Sequence, residues 1–124
     1  MSGVLGIGID AVEIDRFRAV LARRPLMASR IFSAAERRLV EGRSDPVPSL
    51  AARFAAKEAA MKALSTGIGG VDFADIEVLA EASGAPVLAV SGRAYERAKH
   101  LGVRGWHVSL SHTETLATAV VVAD

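Results

Sequence analysis

A chain of 124 residues, 51% hydrophobic and 23% charged, can bury a core but is short for two ordinary domains, so one domain over 1–124 is expected. A net charge of +1 with one Trp, one Tyr and four Phe gives no global pull on nucleic acid and few stacking platforms for bases. The lack of cysteine excludes a disulfide framework and a thiolate metal site, leaving oxygen and imidazole donors and favouring a hard cation. No apolar run reaches the roughly 18 to 20 residues of a membrane span. Met1 to Asp10 lacks a basic leader, so a cytoplasmic location with no membrane partner is expected.

Along the chain, Val4 to Ile9 reads as a strand interrupted by Gly6 and Gly8. Val4, Gly6, Gly8 and Asp10 share one face, and Leu5, Ile7 and Ile9 the other. A helix from about Val12 to Arg24 follows, with Ile14, Phe17 and Leu21 as its buried stripe and Pro25 closing it. Ser33 and Glu36 have capping-box spacing and place a short helix near Ser33 to Glu41; Gly42 to Pro48 reads as loop. Ser49 to Leu64 is alanine-rich and stops before Gly67, which predicts a long helix with Leu50, Phe54, Met61 and Leu64 as its apolar face. Asp75 to Leu79 and Val87 to Val90 read as strands, Gly92 to Leu101 as a helix ended by Gly102, and Trp106 to Ser111 with Leu116 to Ala123 as a hairpin. The sum is an α+β fold with mainly antiparallel strands.

Four groups of residues can carry chemistry. Gly6 and Gly8 clear the face on which Asp10 emerges, so a phosphate or hydrated cation could approach with Asp10 as a hard-metal ligand; Asp10 could equally cap the next helix. With Ala11 this segment matches the dinucleotide pattern Gly-x-Gly-x-x-Ala. The acid required about 20 residues on is absent, since nothing from Arg16 to Ala35 is acidic, and the following strands lack the βαβ rhythm, which excludes that site. Glu58 and Lys62 lie one helical turn apart, on a stripe with Ala51 and Ala55, as a site or as an ordinary ion pair. Lys57 falls between Phe54 and Met61 on the apolar stripe, where an ammonium needs a partner such as a bound anion.

His107, Ser109 and Ser111 alternate onto one strand face, suited to phosphate or simply to solvent. No strained Gly-x-Ser-x-Gly turn exposes a serine, which excludes that class of hydrolase. Arg16, Val20 and Arg23, at i, i+4 and i+7, form a basic ridge around an apolar residue, fit for an acidic helical partner or for solvent.

Taken together, Gly6-Ile-Gly-Ile-Asp10, Arg53-Phe-Ala-Ala-Lys-Glu-Ala-Ala-Met-Lys62, Gly67-Ile-Gly69 and His107-Val-Ser-Leu-Ser-His-Thr113 resemble the holo-acyl-carrier-protein synthase family. Phe32-Ser33-x-x-Glu36 and Gly84-Ala85-Pro86 sit where that family places similar residues. The resemblance implies the 4′-phosphopantetheinyl transferase fold, an antiparallel sheet packed on a long central helix. It implies transfer of phosphopantetheine from coenzyme A to a serine of apo acyl carrier protein, releasing adenosine 3′,5′-bisphosphate, in fatty acid or polyketide biosynthesis. Asp10 and Glu58 would hold Mg2+, and Glu58 and Lys62 would be catalytic. Arg53, Lys57 and Lys62, with Gly67 and Gly69, would contact coenzyme A, as would Gly84, Pro86, His107 and Ser109.

Arg16, Val20 and Arg23 would receive the carrier. The family's short members are homotrimers with active sites between subunits, so the His107 face could serve a neighbour. Either Glu58 or a water on the cation would take the serine proton. Two readings compete: a non-catalytic coenzyme A or nucleotide-binding module, and a Mg-dependent nucleotide hydrolase.

Overall fold

A computed structural model describes residues 3–67 and 70–124. The chain runs β1 (Gly6–Glu13), α1 (Ile14–Arg23), α2 (Met27–Ile31), α3 (Ala34–Leu39), α4 (Val47–Ala63), a 3-10 turn (Phe73–Asp75), β2 (Ile76–Ala80), β3 (Pro86–Val90), α5 (Gly92–Leu101), β4 (Trp106–His112) and β5 (Leu116–Ala123). Strands β1, β5 and β4 form one antiparallel sheet in that order, and β2 and β3 form a separate hairpin.

Helix α4 is the centre of the molecule. Alanine at 51, 52, 55, 56, 59, 60 and 63 leaves no bulk on most of its surface, and all seven are buried. One side packs with Ala119, Val121 and Ala123 of the sheet and with Ile76 and Val78 of the hairpin. The other end of the helix meets Ile14, Phe17, Ile31 and Phe32. A helix clothed in methyl groups can approach a strand closely only if the strand is equally bare, and β1 is. A Cβ on Gly6 would overlap the carbonyl oxygen of Ala63, and one on Gly8 that of Ala59. The glycines therefore admit the backbone of α4, not a phosphate or a cation, which corrects the expectation drawn from their spacing.

Other features also differ from the sequence reading: α4 begins at Val47, inside the segment expected as loop, with Pro48 in its first turn, where a missing amide costs nothing. Strand β1 continues to Glu13 because its pairing with β5 is unbroken as far as Glu13 opposite Leu116, and the Ile14 amide donates to Thr115 O at 2.9 Å. Helix α2 was not expected; its N-cap, Leu26, makes no side-chain capping bond, so no sequence signal marks its start. By contrast the capping box is present: Ser33 Oγ accepts from the Glu36 amide and Glu36 Oε1 from the Ser33 amide. Gly102 ends α5 with φ of 84°.

Candidate active site

Helical geometry puts Glu58 and Lys62 on adjacent turns of α4, and the close packing of β1 brings Asp10 beside them. Lys62 Nζ lies 3.2 Å from Asp10 Oδ1 and donates to Ile9 O at 2.8 Å. The Glu58 carboxyl is pushed above the ordinary carboxylate range, first by its partial burial and then by the Asp10 charge beside it; Lys62 opposes this, and a hydrogen bond with Asp10 adds to it. Two carboxylates held together in a partly desolvated place, with one ammonium to balance them, are short of positive charge. A hard cation that takes carboxylate oxygens and keeps several waters fits that deficit. Among the described residues no cluster of three or more His, Cys, Asp and Glu could hold a metal, so this pair would supply two ligands and leave the other positions to water and phosphate.

Glu58 also opens onto a groove of about 670 Å³ between β1, α1, α2 and α4, lined by Arg16, Val20, Arg30, Phe54 and Phe73 among others. Its floor is aromatic: Phe17 stacks on Phe54 with centroids 5.2 Å apart, and Phe54 meets Phe73 at 5.4 Å. Arg16 and Val20 thus stand on the groove, whereas Arg23 is exposed and lies outside its lining. Arg18, beside that ridge, is occupied by a two-pronged bond to Asp45, at 2.9 and 2.8 Å.

Other expected contacts are spent on the fold. Lys57 is fully buried, and its three donors go to Glu36 Oε1 at 2.7 Å, Phe73 O at 3.0 Å and Ile76 O. No donor is left for an anion, so Lys57 is not a coenzyme A contact. Burial pushes its ammonium below the ordinary lysine value, and the Glu36 charge opposes that. The sequence showed that Lys57 needs a partner; it did not show that the capping-box glutamate turns its second oxygen inward, to the Val78 amide at 2.9 Å. Arg53 is likewise buried, donating through Nε to Val78 O at 3.0 Å and through Nη1 to Ser49; its guanidinium braces α4 against β2.

Gly67 is exposed beyond the end of α4, and Gly69 lies outside the described residues. Gly84, with φ of 90°, forms the turn between β2 and β3, and Pro86 opens β3; neither lines the groove. His107 and Ser109 are exposed on β4, with His107 Nε2 3.1 Å from Asp124 Oδ2. Register decides where they face. Val122 of β5 stands opposite both His107 and Ile7, and Val120 opposite both Ser109 and Ile9. Cross-strand partners share a face, so His107 and Ser109 sit with Ile7 and Ile9 on the outer side of the sheet. Asp10, in phase with Gly6 and Gly8, sits on the side of α4.

Residues 6–121 match the family model of the 4′-phosphopantetheinyl transferase superfamily, which sets the class as phosphopantetheinyl transferase. The holo-[acyl-carrier-protein] synthase of Streptomyces griseus is 53% identical over 121 residues, covering 98% of each chain. The crystal structure of holo-[acyl-carrier-protein] synthase from Neisseria meningitidis superposes with a TM-score of 0.89 at 33% identity, over 98% of this chain and 99% of that one. The Helicobacter pylori synthase, solved in complex with coenzyme A, gives 0.81 at 32% identity, over 95% and 99%. This chain belongs to the holo-[acyl-carrier-protein] synthase family.

Proposed function

We propose that the chain, acting over 1–124 as one phosphopantetheinyl transferase domain in the cytoplasm, moves 4′-phosphopantetheine from coenzyme A to a serine of an apo acyl carrier protein. The observation that carries this is the meeting of Asp10 and Lys62 with Glu58, which itself lines the groove. The serine hydroxyl oxygen forms a bond to the phosphorus bearing pantetheine, the bond to the second phosphate breaks, adenosine 3′,5′-bisphosphate leaves, and the serine proton passes to Glu58 or to a water. Mg2+ held by Asp10 and Glu58 would supply Lewis-acid neutralisation of the anionic phosphate oxygens. Lys62, on an exposed stem, can reach the same phosphates and offset charge on the leaving group. Arg16 and Arg30 flank the apolar groove with positive charge, the complement of a helix bearing acids beside an apolar stripe.

The active unit would be a homotrimer. Ile7 and Ile9 are 64% and 67% exposed on the outer sheet face, an apolar area of the kind that marks an interface. His107 and Ser109 lie on that same outer face, with the sheet between them and Asp10, so they would complete a neighbour's coenzyme A site rather than their own. Incubation with coenzyme A, Mg2+ and apo carrier protein, read by intact mass, tests the whole reading. The carrier should gain the mass of one phosphopantetheine; an unchanged carrier with coenzyme A merely bound, or cleaved by water, would instead establish a binding module or a hydrolase. Arg16→Ala should raise the KM for the carrier with little change in that for coenzyme A, and added salt should weaken the wild type more than the variant.

A further inference from the structure

The ammonium of Lys62 is bound to the strand that carries the proposed cation ligand. Its bonds to Asp10 Oδ1 and Ile9 O, at 3.2 and 2.8 Å, use two of its three donors on β1. The Lys62 side chain is 55% exposed and that of Asp10 only 17%, so the lysine stem is open to solvent while its partner is largely covered. Asp10 and Glu58 carry two negative charges when ionised, and Lys62 returns one.

A divalent cation arriving alone would have to take Asp10 from the ammonium or bind beside it against like-charge repulsion. Either course costs affinity. A pyrophosphate arriving with the cation removes that cost, because it offers the ammonium new anionic oxygens within reach of its flexible stem.

We propose that Lys62 is a resident counter-ion of the cation site, holding Asp10 in the free enzyme and releasing it to the cation only when the pyrophosphate of the co-substrate takes the ammonium in exchange. This rests on the reading of Asp10 and Glu58 as cation ligands. Its consequence is order: cation and coenzyme A bind as a coupled pair, and the free enzyme holds the cation weakly. The same exchange explains how one lysine balances charge before the reaction and stabilises the leaving group during it.

Calorimetric titration of Mn2+ into wild type, Lys62→Met and Asp10→Asn, each with and without coenzyme A and with no carrier present, tests this without turnover. Coupling between two ligands ordinarily amounts to roughly 5- to 150-fold. In the absence of coenzyme A, Lys62→Met should bind Mn2+ about tenfold more tightly than wild type, and saturating coenzyme A should erase that advantage. Equal affinities of wild type and Lys62→Met for Mn2+ alone would overturn the proposal. So would an advantage of the same size with and without coenzyme A, since a general field effect persists in both states whereas a surrendered contact does not. Asp10→Asn separates the two levels: it should lose most Mn2+ binding, and wild-type affinity there would refute the cation site itself and the exchange with it.

Discussion

Glu58 is the residue whose chemistry is most altered by its surroundings, and the alteration has a definite sign. A carboxyl held above its ordinary range by burial and by Asp10 keeps its proton at a pH where a free glutamate has lost it. The proton then competes with the cation, so Mg2+ affinity and carrier modification should fall as pH drops through that raised value, earlier than for an unperturbed carboxylate. Stability runs the other way. Between the ordinary and the raised value the folded state binds more proton than the unfolded state, so this group's contribution to stability declines as pH rises. Thermal melts of the cation-free protein across pH should show a component with that slope which Glu58→Gln removes, and melts of the two that stay parallel would contradict the assignment. That Glu58 and Lys62 lie one turn apart was legible from helical phase; that Asp10 stands beside them was not, because it depends on how β1 packs on α4. The fate of Lys57 was not legible either, because its partner comes from a different element and periodicity cannot show that the capping oxygen, Glu36 Oε1, also accepts from a lysine of α4.

The element on which the site depends is α4, whose position is set by contacts of two kinds. Gly6 and Gly8 fix how near β1 can come, and the Lys57–Glu36 pair joins α4 to α3 and to β2 through bonds of fixed direction. Removing one partner leaves an uncompensated buried charge, so Lys57→Met or Glu36→Leu alone should cost about 3 to 5 kcal/mol in chemical denaturation. The double variant should recover only part of that loss: it removes the lone buried charge, but the Ser33 and Val78 amides and the Phe73 and Ile76 carbonyls lose their partners. Single and double variants equally destabilised would show that packing, not charge, holds the element. Elements with a strong local signal were legible: the alanine-rich run, the capping box, Gly102 after α5, and the alternation of β4. The junction of β1 and α1 was misplaced because strand length is decided by the partner strand. Helix α2 was missed because neither a cap nor a sustained period announces five residues.

Across the whole molecule, the two faces of the sheet differ in character. The inner one carries α4 and Asp10; the outer one presents Ile7 and Ile9 beside His107 and Ser109. The sequence reading placed Leu5, Ile7 and Ile9 on a common face, but it could not show that this chain leaves that face uncovered, since burial depends on which helices cross the sheet. Ile9→Arg should place a charge in the proposed trimer interface. Light scattering should then report a smaller species than wild type, with loss of coenzyme A affinity in proportion; a wild-type mass for the variant would remove this face from the assembly.

Asp10 and Glu58 are proposed to act together in transferring phosphopantetheine to a carrier serine, and the intact mass of the carrier reads that transfer out. With wild type, coenzyme A and Mg2+, the apo carrier should convert to a product heavier by one phosphopantetheine and released adenosine 3′,5′-bisphosphate should appear in equal amount. Asp10→Ala and Glu58→Ala, each folded as judged by circular dichroism, should leave the carrier unmodified, with rates lower by at least about 10²-fold, the scale for loss of an electrostatic contact at a developing charge. Near-normal conversion by either variant would show that its carboxylate takes no part in the transfer.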